Sequence, residues 1–167
     1  MRRECGILGR VRVINRVLGA LGGGLYLEIG VKSGDTFVRI KADRKIGVDP
    51  IRPRWQVVRY GLRHWQAKYY RLTSDVFFER HGTVLEEGVA VALVDGLHEY
   101  HQSYRDVVNC LQYLREDGVI VMHDCNPLSA EAAIGLYDPE APADLGRRPG
   151  TWNGDVWKTI VHLRSER

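Results

Sequence analysis

Leu25-Tyr26-Leu27-Glu28-Ile29-Gly30-Val31-Lys32-Ser33-Gly34 is the stretch on which the fold turns. Leu25 to Ile29 is short, largely apolar and followed by glycine, so it reads as a buried strand. Gly30 and Gly34 mark a turn in which the backbone can bend sharply and approach a ligand closely. Thr36 to Lys41 suits a following helix, and Lys45 to Val48 a second strand that stops at Asp49-Pro50. Strand, glycine turn, helix and strand make a βαβ unit, whose two strands run parallel.

Working outward, Ile7, Leu8, Val11, Ile14, Val17, Leu18 and Leu21 fall near helical spacing upstream of this unit. Residues 1–24 therefore read as an N-terminal amphipathic helix ended by Gly22-Gly23-Gly24. Its arginines read as a solvated face, the alternative being a surface for an anionic partner. Downstream, Trp55, Val58, Leu62 and Trp65 predict a helix over 54–68. Tyr69 to Leu72 follows as a third strand and Val76 to His81 as a helix. Val89-Ala90-Val91-Ala92-Leu93-Val94 is the strongest strand, an unbroken apolar run of the kind found in a sheet centre, stopping at Asp95-Gly96. Tyr104, Val107, Val108, Leu111 and Leu114 predict one face of a helix over 100–115. Gly118 breaks it before the strand Val119 to Met122, which ends at His123-Asp124. Residues 127–150 shift to Pro, Gly, Ala and Asp and read as a surface loop or lid, helical around 130–134. A last helix is expected from Asp155 to Leu163. The expected architecture is α/β, a Rossmann-like open parallel sheet flanked by helices, in one domain over 1–167.

Composition narrows the classes. With 44% hydrophobic and 27% charged residues, the chain has the make-up of a folded protein rather than a disordered one. No apolar run reaches the ~18–20 residues of a membrane span, so no membrane partner is expected. The arginine-interrupted start lacks the apolar segment of a signal peptide. Cys5, Cys110 and Cys125 show no metal-binding spacing and read as reduced thiols, which points to the cytoplasm. A net charge of +3 is too small by itself to imply nucleic acid. Arg52, Arg54, Trp55, Arg59, Tyr60, Arg63 and Trp65 could stack on a nucleic acid. Their spacing favours a packed helix with an exposed basic face.

The chemistry gathers at the strand ends. Glu28-Ile29-Gly30, Asp49-Pro50, Asp95-Gly96 and His123-Asp124 each close a predicted parallel strand. Ligands of such sheets bind beyond the carboxyl ends, where the strand order reverses. The spacing Gly30-x-x-x-Gly34 is neither the Gly-x-Gly-x-x-Gly of dinucleotide folds nor a Walker lysine motif, and the bland alternative is a structural turn. Asp49, 21 positions after Glu28, can accept hydrogen bonds from both ribose hydroxyls, the alternative being a solvated strand end. His98 and His123 are candidate general bases for a hydroxyl, since an imidazole titrates near ~6.5.

The ten residues Leu27 to Thr36 resemble the first S-adenosylmethionine (SAM) binding motif of class I methyltransferases. Val94-Asp95-Gly96-Leu97-His98-Glu99-Tyr100, Gly118-Val119-Ile120-Val121-Met122-His123-Asp124 and Gly154-Asp155-Val156-Trp157-Lys158 are similar to a small-molecule branch related to macrolide and aminocoumarin sugar O-methyltransferases. The resemblance runs from about 25 to 163. It implies SAM as cofactor, with Glu28, Gly30 and Gly34 around its methionine part, Asp49 on the ribose, Ser74 and Asp75 near the adenine, and Asp95 beside the cofactor. It also implies a divalent metal at Asp95, His123 and Asp124. A histidine in place of an acid is a departure that favours Mn²⁺ or Zn²⁺ over Mg²⁺, or a site with no metal. The catalytic candidates are then His98, His123 and Asp95, acting on a small-molecule acceptor. The family's sixth and seventh strands find no counterpart here, so a homo-oligomer covering the fifth strand's edge is expected. A non-catalytic SAM-fold binding or assembly protein is the first alternative. A nicotinamide-dependent oxidoreductase is the second, and the missing glycine fingerprint speaks against it.

Overall fold

The computed structural model describes residues 2–139, 141 and 152–165. Helix α1 (Arg2–Ala20) leads into β1 (Leu25–Ile29), and β2 (Arg44–Val48), α2 (Trp55–Arg63) and β3 (Ala67–Tyr70) follow. Then come α3 (Ser74–His81), β4 (Val89–Val94), α4 (Tyr100–Leu111), β5 (Leu114–Met122) and α5 (Trp157–Ser165). Among the described residues the sheet has five strands in the order β3-β2-β1-β4-β5. Every pairing is parallel. This is the Rossmann-like open sheet that the strand pattern predicts.

Strand alternation divides the core between two faces. Leu25, Leu27 and Ile29 pack with Phe77, Phe78, Val107 and Cys110 of α3 and α4. Tyr26 points the other way, into a cluster with Val11, Ile14 and Leu18 of α1 and Val57 of α2. All six side chains of β4 are buried, as a central strand requires. No described helix is long and apolar enough to cross a membrane.

Several expectations are corrected. Residues 36–41 form only a short 3₁₀ turn, Phe37–Arg39, instead of a helix. Phe37 and Ile40, both buried, lie three apart as a 3₁₀ turn demands, and β-branched Thr36, Val38 and Ile40 weaken α-helix formation. On α2 the apolar positions Trp55, Val58 and Leu62 face outward, as does Trp65 beyond its end, while Val57 is buried. The reason lies underneath: buried Lys45 of β2 donates to the Tyr60 hydroxyl at 2.7 Å and to the Phe37 carbonyl at 3.0 Å. Its ammonium also sits 4.3 Å from the Tyr60 ring centroid. That anchor sets the helix rotation, and burial lowers the Lys45 pKa to about 8.

Helix α4 is rotated as well. Ser103, Asp106, Val107 and Cys110 are its buried positions, and Leu111 is exposed. The polar ones are satisfied: Ser103 shares a 2.6 Å hydrogen bond with Thr159 of α5, and Asp106 accepts from Gln102 at 3.0 Å. Leu114 begins β5 rather than ending α4. Val89 pairs with Leu114 and Val91 with Val119, so residues 115–118 bulge out of the ladder. The helical piece near 130–134 is the 3₁₀ turn Glu131–Ala133. Most of the expected lid after Pro139 lies outside the described residues.

Candidate functional site

The strand order reverses between β1 and β4, whose chain connections leave toward opposite edges. Gly30 sits at this switch point with φ +89°, and a Cβ there would collide with the backbone of Asp95 and Gly96. A glycine is what lets the two strand-end loops touch. Hydrogen bonding continues past the strands: Gly30 N–H donates to Val48 O (2.9 Å), Asp95 N–H to Ile29 O (2.9 Å) and His123 N–H to Val94 O (3.1 Å). The polar ends of β1, β2, β4 and β5 are thereby fixed in register at one edge.

Asp95, His98, His123 and Asp124 form a single cluster there. His98 Nε2 lies 3.2 Å from Asp124 Oδ2 and 3.7 Å from Asp95 Oδ1. His123 Nδ1 lies 3.0 Å from Asp124 Oδ2 and 3.4 Å from Asp95 Oδ1. The other oxygen of Asp95 pairs with the Arg10 guanidinium, which α1 delivers from the far end of the sequence. Burial by itself would raise the Asp95 pKa. Contacts with His123 and His98, with the charge of Arg10, outweigh it and hold the carboxyl well below its ordinary value. The carboxylates of Asp124 and Asp95 push His123 up to about 9 against the opposing effect of its burial. His123 Nδ1 is off the line of a hydrogen bond to either acid, so the contact is mainly ionic. His98 Nδ1 and Arg10 Nε are buried with no hydrogen-bond partner among the described residues.

One oxygen or nitrogen from each of Asp95, His98 and Asp124 can lie within 4.8 Å of the others, close enough to share a cation. The expected metal set was Asp95, His123 and Asp124. The group that converges has His98 as its imidazole, with His123 adjoining through both acids. Asp124 holds an αL backbone (φ +56°), uncommon outside glycine, and its carboxylate meets both His98 and His123. Asn153 fixes that carboxylate by donating to Oδ1 at 2.6 Å. Trp152 covers His98 with ring centroids 5.4 Å apart.

The residues expected around SAM are placed as follows. Glu28 is 2% exposed and lies beneath the Gly30 turn, accepting a 2.7 Å bond from the Tyr26 hydroxyl. Burial raises its pKa to about 8. Asp49 accepts from the backbone N–H of Lys32 (2.7 Å) on one oxygen and of Ile51 (2.8 Å) on the other. It therefore shapes the glycine loop, while each oxygen keeps a lone pair for a further donor. Gly34, at φ +79°, packs against Val57 of α2. Ser74 and Asp75, at the start of α3, both accept from Gln102 Nε2 at 3.1 Å, which ties α3 to α4. Asp106 shares that network, and burial raises its pKa to about 6.

The motif around Gly154 turns out to be a brace. Asp155 accepts from the Tyr100 N–H at 2.7 Å in the first turn of α4, and Gly154 packs against the His98 backbone so closely that a Cβ would clash. It holds the His98 loop in position. Arg10, Asn153 and Trp152 were not found by sequence reasoning. Arg10 is one of several arginines on an amphipathic helix, and nothing local distinguishes the one that reaches the site.

Residues 27–125 match a family model described as a methyltransferase domain. No curated protein matches the chain.

Proposed function

The chain belongs to the methyltransferase-domain family, whose methyl donor is SAM, and from that premise we propose that it methylates a hydroxyl of a small polar molecule with the help of a divalent cation. The observation that carries this reading is the convergence of Asp95, His98 and Asp124 beside the Gly30 turn, at the sheet's switch point. Two carboxylates and one imidazole suit Mn²⁺ or Zn²⁺ better than Mg²⁺. His98 turns Nε2 toward the two acids, while its Nδ1 is buried without a hydrogen-bond partner among the described residues and Trp152 covers the ring.

SAM supplies an electrophilic methyl group, and a bound cation lowers the pKa of a coordinated hydroxyl. The Gly30–Gly34 loop holds the cofactor, with Asp49 bracing it and receiving the ribose. Asp95, His98 and Asp124 hold the cation and so orient the acceptor for in-line attack. His123, whose pKa is pushed up to about 9, is protonated at neutral pH and helps to hold the Asp95 carboxyl below its ordinary value. Arg10 anchors Asp95 from the opposite side.

The test is methyl transfer from isotopically labelled SAM to a panel of hydroxylated acceptors, before and after chelation. Chelation is expected to lower transfer on the order of 100-fold, and Mn²⁺ to restore it. Asp124→Ala should lose the Mn²⁺ response yet still bind SAM. Full activity in chelator would remove the cation and leave His98 as the base.

A further inference from the structure

Between Asp49 and Asp75 the chain has no acidic residue, yet it carries Arg52, Arg54, Arg59, Arg63, Lys68 and Arg71. All six are exposed. None forms an ion pair among the described residues. The same segment exposes large apolar side chains: Ile51 is 60% exposed, Trp55 69%, Leu62 78% and Trp65 84%. Trp55, Val58 and Leu62 recur at helical spacing along one stripe of α2. The opposite stripe already has its partner, through buried Val57 and the Lys45–Tyr60 hydrogen bond. Beside the outer stripe a shallow cavity of about 260 Å³ opens between α2 and β3, lined by Phe37, Pro53, Val57, Leu62 and Tyr69.

We propose that this surface docks the protein onto an anionic lipid bilayer. Helix α2 would lie in the headgroup layer, with Trp55, Leu62 and Trp65 dipping toward the acyl chains and the arginines on the anionic headgroups. Apolar and aromatic anchors flanked by basic residues are the composition of interfacial helices. Each basic residue near such a surface adds electrostatic attraction. A second copy of the chain does not fit, because a two-fold contact would set six positive charges against six. Nucleic acid accounts for the arginines and tryptophans but leaves Ile51, Val58 and Leu62 uncovered. The apolar side chains stand exposed along one stripe of a helix, which a fluid layer accepts without matching holes. At nine residues α2 lies on a bilayer and does not cross it, so the lack of a spanning run, from which no membrane partner was expected, does not bear on surface docking.

The surface is continuous with the candidate site. Gln56 donates to the Ser33 carbonyl, so α2 grips the glycine loop, and Ile51 follows Asp49 by two positions. Docking would bring that edge of the sheet to the membrane whether or not the site transfers methyl groups.

The experiment is co-sedimentation of the full chain with phosphatidylcholine vesicles containing roughly 30% phosphatidylserine, alongside pure phosphatidylcholine vesicles. Tryptophan emission is followed in parallel. Binding to the anionic vesicles alone, weakened by salt and accompanied by a blue shift, is expected. R59E/R63E and W55S/L62S/W65S each replace exposed residues and should keep the wild-type circular dichroism. Each should bind roughly tenfold more weakly. No co-sedimentation, or wild-type binding by both variants, overturns the proposal. So does binding to a single-stranded oligonucleotide or to polyglutamate without binding to the vesicles.

Discussion

Asp95→Asn is expected to lose about 3 kcal/mol of folding stability and on the order of 100-fold in methyl transfer. Asp95 is where the two halves of the account meet: one oxygen takes the Arg10 guanidinium and the other faces His98 and His123. The asparagine keeps the shape but removes the charge. That leaves the Arg10 guanidinium, whose side chain is only 19% exposed, without its counter-ion. Removing one partner of an enclosed pair is more damaging than removing both. Because the Asp95 pKa is depressed in the fold, its stabilisation is present above the ordinary carboxylate range and fades as pH falls through its lowered value. The gap between variant and wild type should therefore hold from pH 5 to neutrality and close in strong acid. His123, pushed up to about 9 by Asp124 and Asp95, should titrate lower in the variant. Urea unfolding and an imidazole proton titration by NMR in chelator read the two effects separately. An unchanged His123 titration would show that Asp95 is not part of its environment.

Glu28→Gln should do the reverse at high pH. The Glu28 pKa is raised to about 8 by burial, so the fold prefers the neutral acid. That preference is fully satisfied below the ordinary glutamate range near 4.5, and stability is lost as pH rises through 8. Glutamine keeps an acceptor for the Tyr26 hydroxyl and cannot ionise. The variant should stay within about 1 kcal/mol of wild type at pH 5 and exceed it by about 3 kcal/mol at pH 9. Each pH unit between the folded and unfolded titrations contributes about 1.4 kcal/mol, and relaxation around the charged acid takes part of it back. His123 also loses its stabilisation toward pH 9, but it does so in both proteins and cancels in the comparison. Urea midpoints at the two pH values decide it. A constant difference between the curves would mean that Glu28 is ionised in the fold at both.

What could be read directly from the sequence was the sheet and its working edge. Buried parallel strands announce themselves as short apolar runs, and Ile29, Val48, Val94 and Met122 each precede a polar or glycine residue that closes the strand. Helix rotation was less legible. Trp55, Val58 and Leu62 have the spacing of a packed face, but a buried lysine with its tyrosine set α2 the other way round. In α4 the buried face is half polar, with Ser103 and Asp106 satisfied by Thr159 and Gln102, so an apolar pattern could not reveal it. In the candidate site the two acids were legible at their strand ends. The choice of His98 over His123 in the convergent group depends on the αL turn at Asp124 and on Trp152, Asn153 and Gly154, which arrive from far along the chain. Arg10 was hidden for the same reason, since its role is set by where α1 packs.

The central claim is that the edge formed by Gly30, Asp49 and Asp95 holds SAM. Calorimetric titration of the purified chain with SAM, S-adenosylhomocysteine and NAD tests it most directly. Saturable binding of both adenosyl ligands, none of NAD, and weakening by roughly tenfold or more in Asp49→Ala is the predicted result. Absence of binding by either adenosyl ligand to the folded chain would contradict the account.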